Sequence, residues 1–421
     1  MESSGPNNSV LALVDDIRNA VLEDNSLTSS AESHSRLLSL VDKLRLTVET
    51  PTETVLRLIY QPPQNAAIRT LTDLGVFDLI VHCGEEGISA EELGRRTAAE
   101  RGLIARLMRI ATALGFCSNP APEIYIANAK TSILTQPIGR DGVRCIYDLT
   151  LPTLSRLPSY FTEHRYTLPN DYTSSPMHWV TGQSQFEWLA DRRHQQVMFN
   201  SYMGSRRAGR KAWFDVYPAE RLMGSHSVVE GDGEGGEEGV FIVDIGGNRG
   251  HDLIRLREER PDLKGRFVLQ DLPAVVNAAV SDEGNRLESM GIEAMGYSFF
   301  EEQPVKGART YYLRSILHDW PDDKALTILR NIVSAMNPAY SWLIIVDFVL
   351  PDTEIPLMQA ALDIQMMCIG AGVERSKREW AALLGKVGLG IRGVWNMGAG
   401  LESVIEAGLI QDRDGCDGRE V

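Results

Sequence analysis

The segment best suited to chemistry is Val243-Asp244-Ile245-Gly246-Gly247-Asn248-Arg249-Gly250-His251, where an apolar strand breaks into glycines and then opens a helix. Glycine has no Cβ, so Gly246, Gly247 and Gly250 let the backbone come close to a ligand at the strand end, where open α/β sheets bind small molecules. A nicotinamide-type fingerprint is the competing reading, but its G-x-G-x-x-G spacing fails, since Asn248 stands where the second glycine belongs. Asp244 can hold the cationic or amino part of a ligand. Asp271 closes the second strand, where a carboxylate can accept hydrogen bonds from ribose hydroxyls. His318 ends the TYYLRSIL strand on the same edge and is the only one of eight histidines so placed. An imidazole titrates near neutrality and is a natural base for a hydroxyl proton. Asp347 sits in the apolar run LIIVDFVL; burying an unpaired carboxylate is costly, so it must be paired or exposed.

These residues need a scaffold, and residues 240–410 supply one. Strands and helices alternate there: FIVDIG and a helix to Glu259, RFVLQDL and a helix to Met290, a short run to Phe300, TYYLRSIL and a helix to Met336, then SWLIIVDFVL and helical segments to Val387. IRGVWNM and ESVIEAGLI, separated by a short glycine-containing turn, are expected to pair antiparallel. The pattern predicts an α/β fold with a Rossmann-like, mostly parallel, seven-stranded sheet covered on both faces.

Upstream, residues 1–51 hold two helical patterns, Val10–Leu22 and Ser33–Val48, too short to stand without a partner surface. Residues 52–137 run helix, helix, hairpin, the order of a winged helix. A helix over Thr54–Leu71 is interrupted near Pro62-Pro63, and Ser89 with Glu92 forms a capping box. Such a module either reads DNA or serves packing and dimerisation. Between Met1 and Pro120 there are 11 Lys plus Arg against 16 Asp plus Glu, which favours the second. Residues 138–229 are helical and rich in large side chains, among them Trp179, Phe186, Trp188, Met198, Trp213 and Phe214. Two readings stay open for them: packing between units, or a pocket for a flat apolar ligand. The same choice applies to Met366, Met367 and Trp380. The acidic stretch Glu230–Gly239 is expected to be an exposed insertion, and 411–421 a loose tail.

Composition excludes several classes. The 421 residues are 43% apolar and 24% charged, those of an ordinary globular protein. The net charge of -15 argues against a nucleic-acid partner. No run approaches the roughly 20 apolar residues of a membrane helix, and the first residues lack a secretory pattern. Five scattered cysteines suit reduced thiols in the cytoplasm, and His and Cys lack metal-ligand spacing.

Taken together, DIGGNRGHDL, LQDLP, YYLRSILHDWPDDKAL and GVERSKREW resemble the class I O-methyltransferases of the caffeic-acid type, especially their fungal secondary-metabolism branch, over about residues 52–410. The resemblance implies S-adenosylmethionine as cofactor, a winged-helix module that dimerises, and a small aromatic or polyketide-like substrate. It implies His318 as general base, with Asp347 and Glu374 orienting it. It also places Leu272, Ser298, Phe299 and Arg314 beside Asp244, Asp271 and the glycines around the cofactor. Ser298 stands where the family usually carries an acidic residue, and Arg314 where it carries a basic residue four positions before the histidine. Two reactions remain open within the resemblance: transfer of the methyl to a phenolic or enolic hydroxyl, or use of the sulfonium as a fixed charge for dehydration or pericyclic ring closure. A DNA-binding regulator built on residues 52–137 is the third class, and the charge disfavours it.

Overall fold

Alternate residues of a strand face opposite sides of a sheet, so a strand apolar throughout must be covered twice. Five such strands build the catalytic part of the computed structural model, which describes residues 6–24, 31–206, 211–223, 239–398 and 400–410. The acidic stretch up to residue 238 and the tail 411–421 lie outside these residues. The chain divides into two units, Met1–Thr167 with Thr173–Arg210, and Leu168–Tyr172 with Lys211–Val421.

In the second unit we name seven strands: β1 Val240–Ile245, β2 Arg266–Asp271, β3 Ile292–Gly296, β4 Thr310–Arg314, β5 Trp342–Asp347, β6 Leu389–Asn396 and β7 Ser403–Leu409. They form one sheet in the order β3-β2-β1-β4-β5-β7-β6. β7 alone runs antiparallel to its neighbours β5 and β6, as the short turn before it requires. The two faces sort cleanly. Tyr311, Leu313, Ile345 and Ile405 pack with Ile328, Leu329, Trp380 and Leu383 on one side. Phe241, Phe267, Tyr312 and Ile344 pack with Trp213, Phe214 and Tyr217 on the other. Trp213, Phe214 and Trp380 are therefore core, and the pocket reading fails for them. The Trp380 indole N–H donates to the Phe348 carbonyl at 2.9 Å, which satisfies its polar atom inside that core.

The first unit begins with helices Pro6–Asp24 and Ala31–Val48, which pack on each other and leave Leu11, Leu22, Leu38 and Leu46 exposed. Helices Pro51–Ile59 and Gln61–Asp73 break at Tyr60, beside the proline pair. Val76–Cys83 is a further helix that periodicity did not separate, because its eight residues span only about two turns. Helices Ala90–Thr97 and Arg101–Ala113 follow. The strands Cys117–Ala121 and Ile124–Ala127 then pair antiparallel and take Ile88–Ser89 as a third, completing the wing. Only half of the expected capping box forms. Ser89 Oγ accepts from Glu92 N at 3.1 Å, but the Glu92 carboxylate is held by Arg95 and Arg96.

Candidate active site

Because β1, β4 and β5 are parallel neighbours, their C-terminal ends meet at one edge. Order reverses about β1, between β2 and β4, and that crevice is where such sheets hold ligands. The turn after β1 is built for close approach. Gly246 has φ +76°, and a Cβ there would stand 2.5 Å from Ile316 and 3.8 Å from the Phe299 ring. At Gly247 a Cβ would meet Asp244 Cγ and Leu269 Cδ1, each at 2.5 Å. The Gln270 carbonyl accepts from both Gly246 N and Gly247 N at 2.8 and 3.1 Å, and its buried amide exchanges two 2.9 Å bonds with Gln303. Asp271 accepts from Asn248 N at 2.9 Å and from Leu272 N at 2.7 Å. Burial nevertheless pushes its pKa up, against those two donors. Leu272 is 53% exposed next to it, an apolar side chain at the rim. Ser298 lies in the turn after β3, before Phe299, whose ring packs on Phe300 and Trp320. The space beside the glycines, the Asp271 carboxylate and the apolar rim fit a nucleoside-bearing cofactor.

Arg314 ends β4 and is 8% exposed. Its guanidinium donates to Asp252 Oδ1 at 3.0 Å and to Glu402 Oε2 at 2.7 Å. Asp252 belongs to the helix that the glycine turn opens, so Arg314 ties that helix to the loop carrying the histidine. Glu402 also takes the Ser315 hydroxyl at 2.9 Å, where Ser315 turns the chain with φ +51°.

His318 follows in a short turn, Leu317–Asp319. Its Nδ1 lies 2.8 Å from Glu374 Oε1 and 3.7 Å from Asp347 Oδ1, and its Nε2 lies 3.5 Å from Asp319 Oδ1. His318, Asp347 and Glu374 are all buried, so the trio expected from sequence comes together. Asp347 ends β5; Glu374 is held beside it because Arg375–Ser376 pairs with Val349–Leu350. Asp319 also faces the imidazole, while Asp322 and Asp323 occupy the first turn of helix Asp322–Val333. Sequence reasoning missed Arg375, which is 1% exposed. It donates to the Leu317 and Trp320 carbonyls, both at 2.8 Å, and to Asp322 at 3.0 Å, clamping the histidine turn. The signal was present in GVERS, but an arginine beside a glutamate reads first as a solvated pair.

Burial would lower the His318 pKa; Asp347, Asp319 and Glu374 outweigh it and push the imidazole up to about 10. Burial, with Glu374 and Glu402 nearby, pushes Asp347 up to about 7 against the pull of His318. Both groups thus hold protons in the folded state that the unfolded chain releases sooner. The stability they carry is complete below their unfolded values and is lost as pH rises, from 3.8 to about 7 for Asp347 and from 6.5 to about 10 for His318. The melting temperature is expected to fall from pH 7 to pH 10 and to fall less in Asp347→Asn; equal slopes in both proteins would contradict this charge arrangement.

The residues read as substrate-facing divide between the units. Trp179, Phe186 and Met198 belong to the first, Met366 and Met367 to the second. Trp179 donates to Glu163 at 3.1 Å, Phe186 is 56% exposed and Met198 is buried. Met366 is buried at the base of the 370–374 turn, where the Gly372 N–H donates to its carbonyl at 3.1 Å and Val373 N donates to the His318 carbonyl at 2.8 Å.

Comparison with known proteins adds independent findings. Residues 238–390 match the sequence profile of the O-methyltransferase domain. The methyltransferase cfoC of Aspergillus candidus is 31% identical over 401 residues, covering 94% of this chain and 96% of that protein. A solved structure described as a pericyclic reaction enzyme superposes with a TM-score of 0.81 at 30% identity, covering 96% of this chain and 100% of the other. The structure of LepI in complex with S-adenosylmethionine gives the same TM-score, identity and coverage.

Proposed function

Because the chain belongs to the S-adenosylmethionine-dependent O-methyltransferases, we propose that it methylates a phenolic or enolic hydroxyl of a small aromatic or polyketide-like molecule, with His318 as the base. The observation that carries this reading is His318 itself, fixed through Nδ1 by Glu374 at 2.8 Å, so that Nε2, 3.5 Å from Asp319 Oδ1, is the nitrogen to meet an acceptor. Asp244, Gly246, Gly247, Gly250, Asp271, Leu272, Ser298 and Phe299 would hold the cofactor, which supplies an electrophilic methyl group when bound. Arg314 contributes by fixing the glycine-turn helix against the histidine loop. His318 takes the hydroxyl proton at Nε2 as oxygen attacks; Glu374 and Asp347 stabilise the imidazolium that forms, and Asp319 draws the proton away from the new ether. A base with a pKa near 10 matches a phenol, whose own value is about 10, so that proton passes with little loss. Alignment of oxygen and methyl does the rest.

Met366 and Met367, within the catalytic unit, are the side chains we assign to acceptor recognition. The exposed leucines of the first two helices support a homodimer through the N-terminal module, and the scattered thiols support a cytoplasmic enzyme. Among the described residues no helix is long and apolar enough to cross a membrane.

Methyl-labelled S-adenosylmethionine incubated with a panel of phenols and enols tests the reading. Label on oxygen in at least one acceptor is the expected result; no transfer to any of them contradicts it. One observation favours a second reading. An imidazole that holds its proton to about pH 10 is also an acid, able to protonate a departing hydroxyl while the sulfonium serves as a fixed charge. Product formed without S-adenosylhomocysteine would select that reaction.

A further inference from the structure

Among the described residues the Glu374 carboxylate has one hydrogen-bond partner, His318 Nδ1 at 2.8 Å, and its second oxygen is buried without one. Nothing else steers that side chain, so its aim depends on how the backbone around it is held. Arg375–Ser376 is held from one side by pairing with Val349–Leu350. The other side rests on helix Leu357–Gly370, after which Ala371 takes φ +61° and turns the chain back. Gly372 then lies flat on the histidine turn, for a Cβ there would collide with the His318 carbonyl oxygen. The next N–H groups are taken in succession. Gly372 donates to the Met366 carbonyl at 3.1 Å and Val373 to the His318 carbonyl at 2.8 Å. Glu374 donates to Asp363 Oδ1 at 2.9 Å, and of the three bonds only this one ends on a side chain. Asp363 is half-buried in the middle of that helix, one turn before Met366. Aspartate is a poor helix former there, so the bond it makes, and not helix propensity, accounts for its place.

We propose that Asp363 is a positioning residue for the base: by holding the Glu374 N–H it aims the Glu374 carboxylate at His318 Nδ1. This deepens the methyl-transfer reading and rests on it. The imidazole faces Asp319 from its own turn, Asp347 from β5 and Glu374 from the segment that Asp363 holds. Each carboxylate favours the charged ring. Without Asp363 the Glu374 backbone is free to shift, its carboxylate leaves Nδ1, and the ring gives up its proton at lower pH. Around Asp363 itself, burial pushes the pKa up and the Glu374 and Glu379 charges add to this, while the Glu374 N–H and Arg375 pull it down.

NMR of the full chain carrying isotope-labelled histidine, with His318→Ala to assign the signal, follows the titration of this ring without turnover. The wild-type midpoint is expected at about pH 10. Asp363→Ala should move it down by about one pH unit or more, the usual effect of a neighbouring carboxylate. Asp363→Asn keeps an oxygen for the Glu374 N–H but carries no charge, so it should leave the midpoint in place. In a Glu374→Gln background the alanine change should add nothing, because Asp363 acts through Glu374. Alanine suits a helix, so Asp363→Ala should fold. The wild type offers a check that needs no variant: its Glu374 amide should exchange slowly with deuterium. Any one of four results overturns the proposal: an unmoved midpoint in Asp363→Ala, an equal fall in Asp363→Asn, a further fall in the double variant, or free exchange of the wild-type amide. A protein that shows the expected shifts but transfers no methyl to any acceptor rejects the methyl-transfer reading and leaves the role of Asp363 standing.

Discussion

Replacing His318 with alanine is expected to lower methyl transfer by about a hundredfold to ten-thousandfold, the usual worth of a positioned general base, while S-adenosylhomocysteine binds as before. The separation follows from the structure. The imidazole contacts Glu374, Asp347 and Asp319, whereas the cofactor turn rests on Gln270, Asp271 and the Arg314–Asp252 pair. In the wild type, kcat/KM should rise with pH about tenfold per unit below the imidazole's pKa, because only the neutral ring can take a proton and the carboxylates hold that pKa near 10. Glu374→Gln removes one of those carboxylates and should move the rise to lower pH. A profile that falls with pH in this range would mean that His318 works as an acid. Loss of cofactor binding in His318→Ala would mean that it holds the fold or the cofactor rather than the acceptor proton.

Gly246→Ala should weaken S-adenosylhomocysteine binding by about tenfold, because the added methyl pushes on the Ile316 side chain and stands in the turn that faces the cofactor. At φ +76° an alanine is strained, and its Cβ would stand 2.5 Å from Ile316 Cδ1; strain of this kind costs about 1–3 kcal/mol. Ile316 lies two residues before His318, so making room disturbs the loop as well as the turn. Gly291→Ala is the control. Its φ is +62° with nothing within 4 Å, so it carries the backbone strain without the collision. Both variants should melt earlier than wild type, and only Gly246→Ala should lose the cofactor. Equal binding in the two, measured by calorimetry, would remove the turn from the cofactor site.

The central strands of the sheet were legible because they are largely apolar runs bounded by glycine, proline or charge, and the single reversed strand because its turn is too short for a crossover. The glycine turn, His318 and Asp347 were legible because their residue types are unusual at the end of such a strand. What escaped was set by contacts distant in sequence. Arg375 clamps Leu317 and Trp320 across more than fifty positions, and Glu402 reaches Arg314 from the turn before β7. Neither differs in type or neighbours from a solvated charge. Asp319 escaped for a related reason: an acid before Pro321 looks like helix-start chemistry, and only the turn of the backbone through Leu317–Asp319 aims it at the imidazole. The aromatic segments of 138–229 showed size without periodicity. Their separation into core at Trp213 and Phe214 and exposed surface at Phe186 depends on which face of which element they occupy.

The most direct measurement is a single-turnover mass balance with protein in excess over S-adenosylmethionine and an acceptor from the phenolic panel. Transfer at His318 predicts one S-adenosylhomocysteine for each O-methylated product, both lost together in His318→Ala. Converted acceptor with the S-adenosylmethionine intact would contradict it.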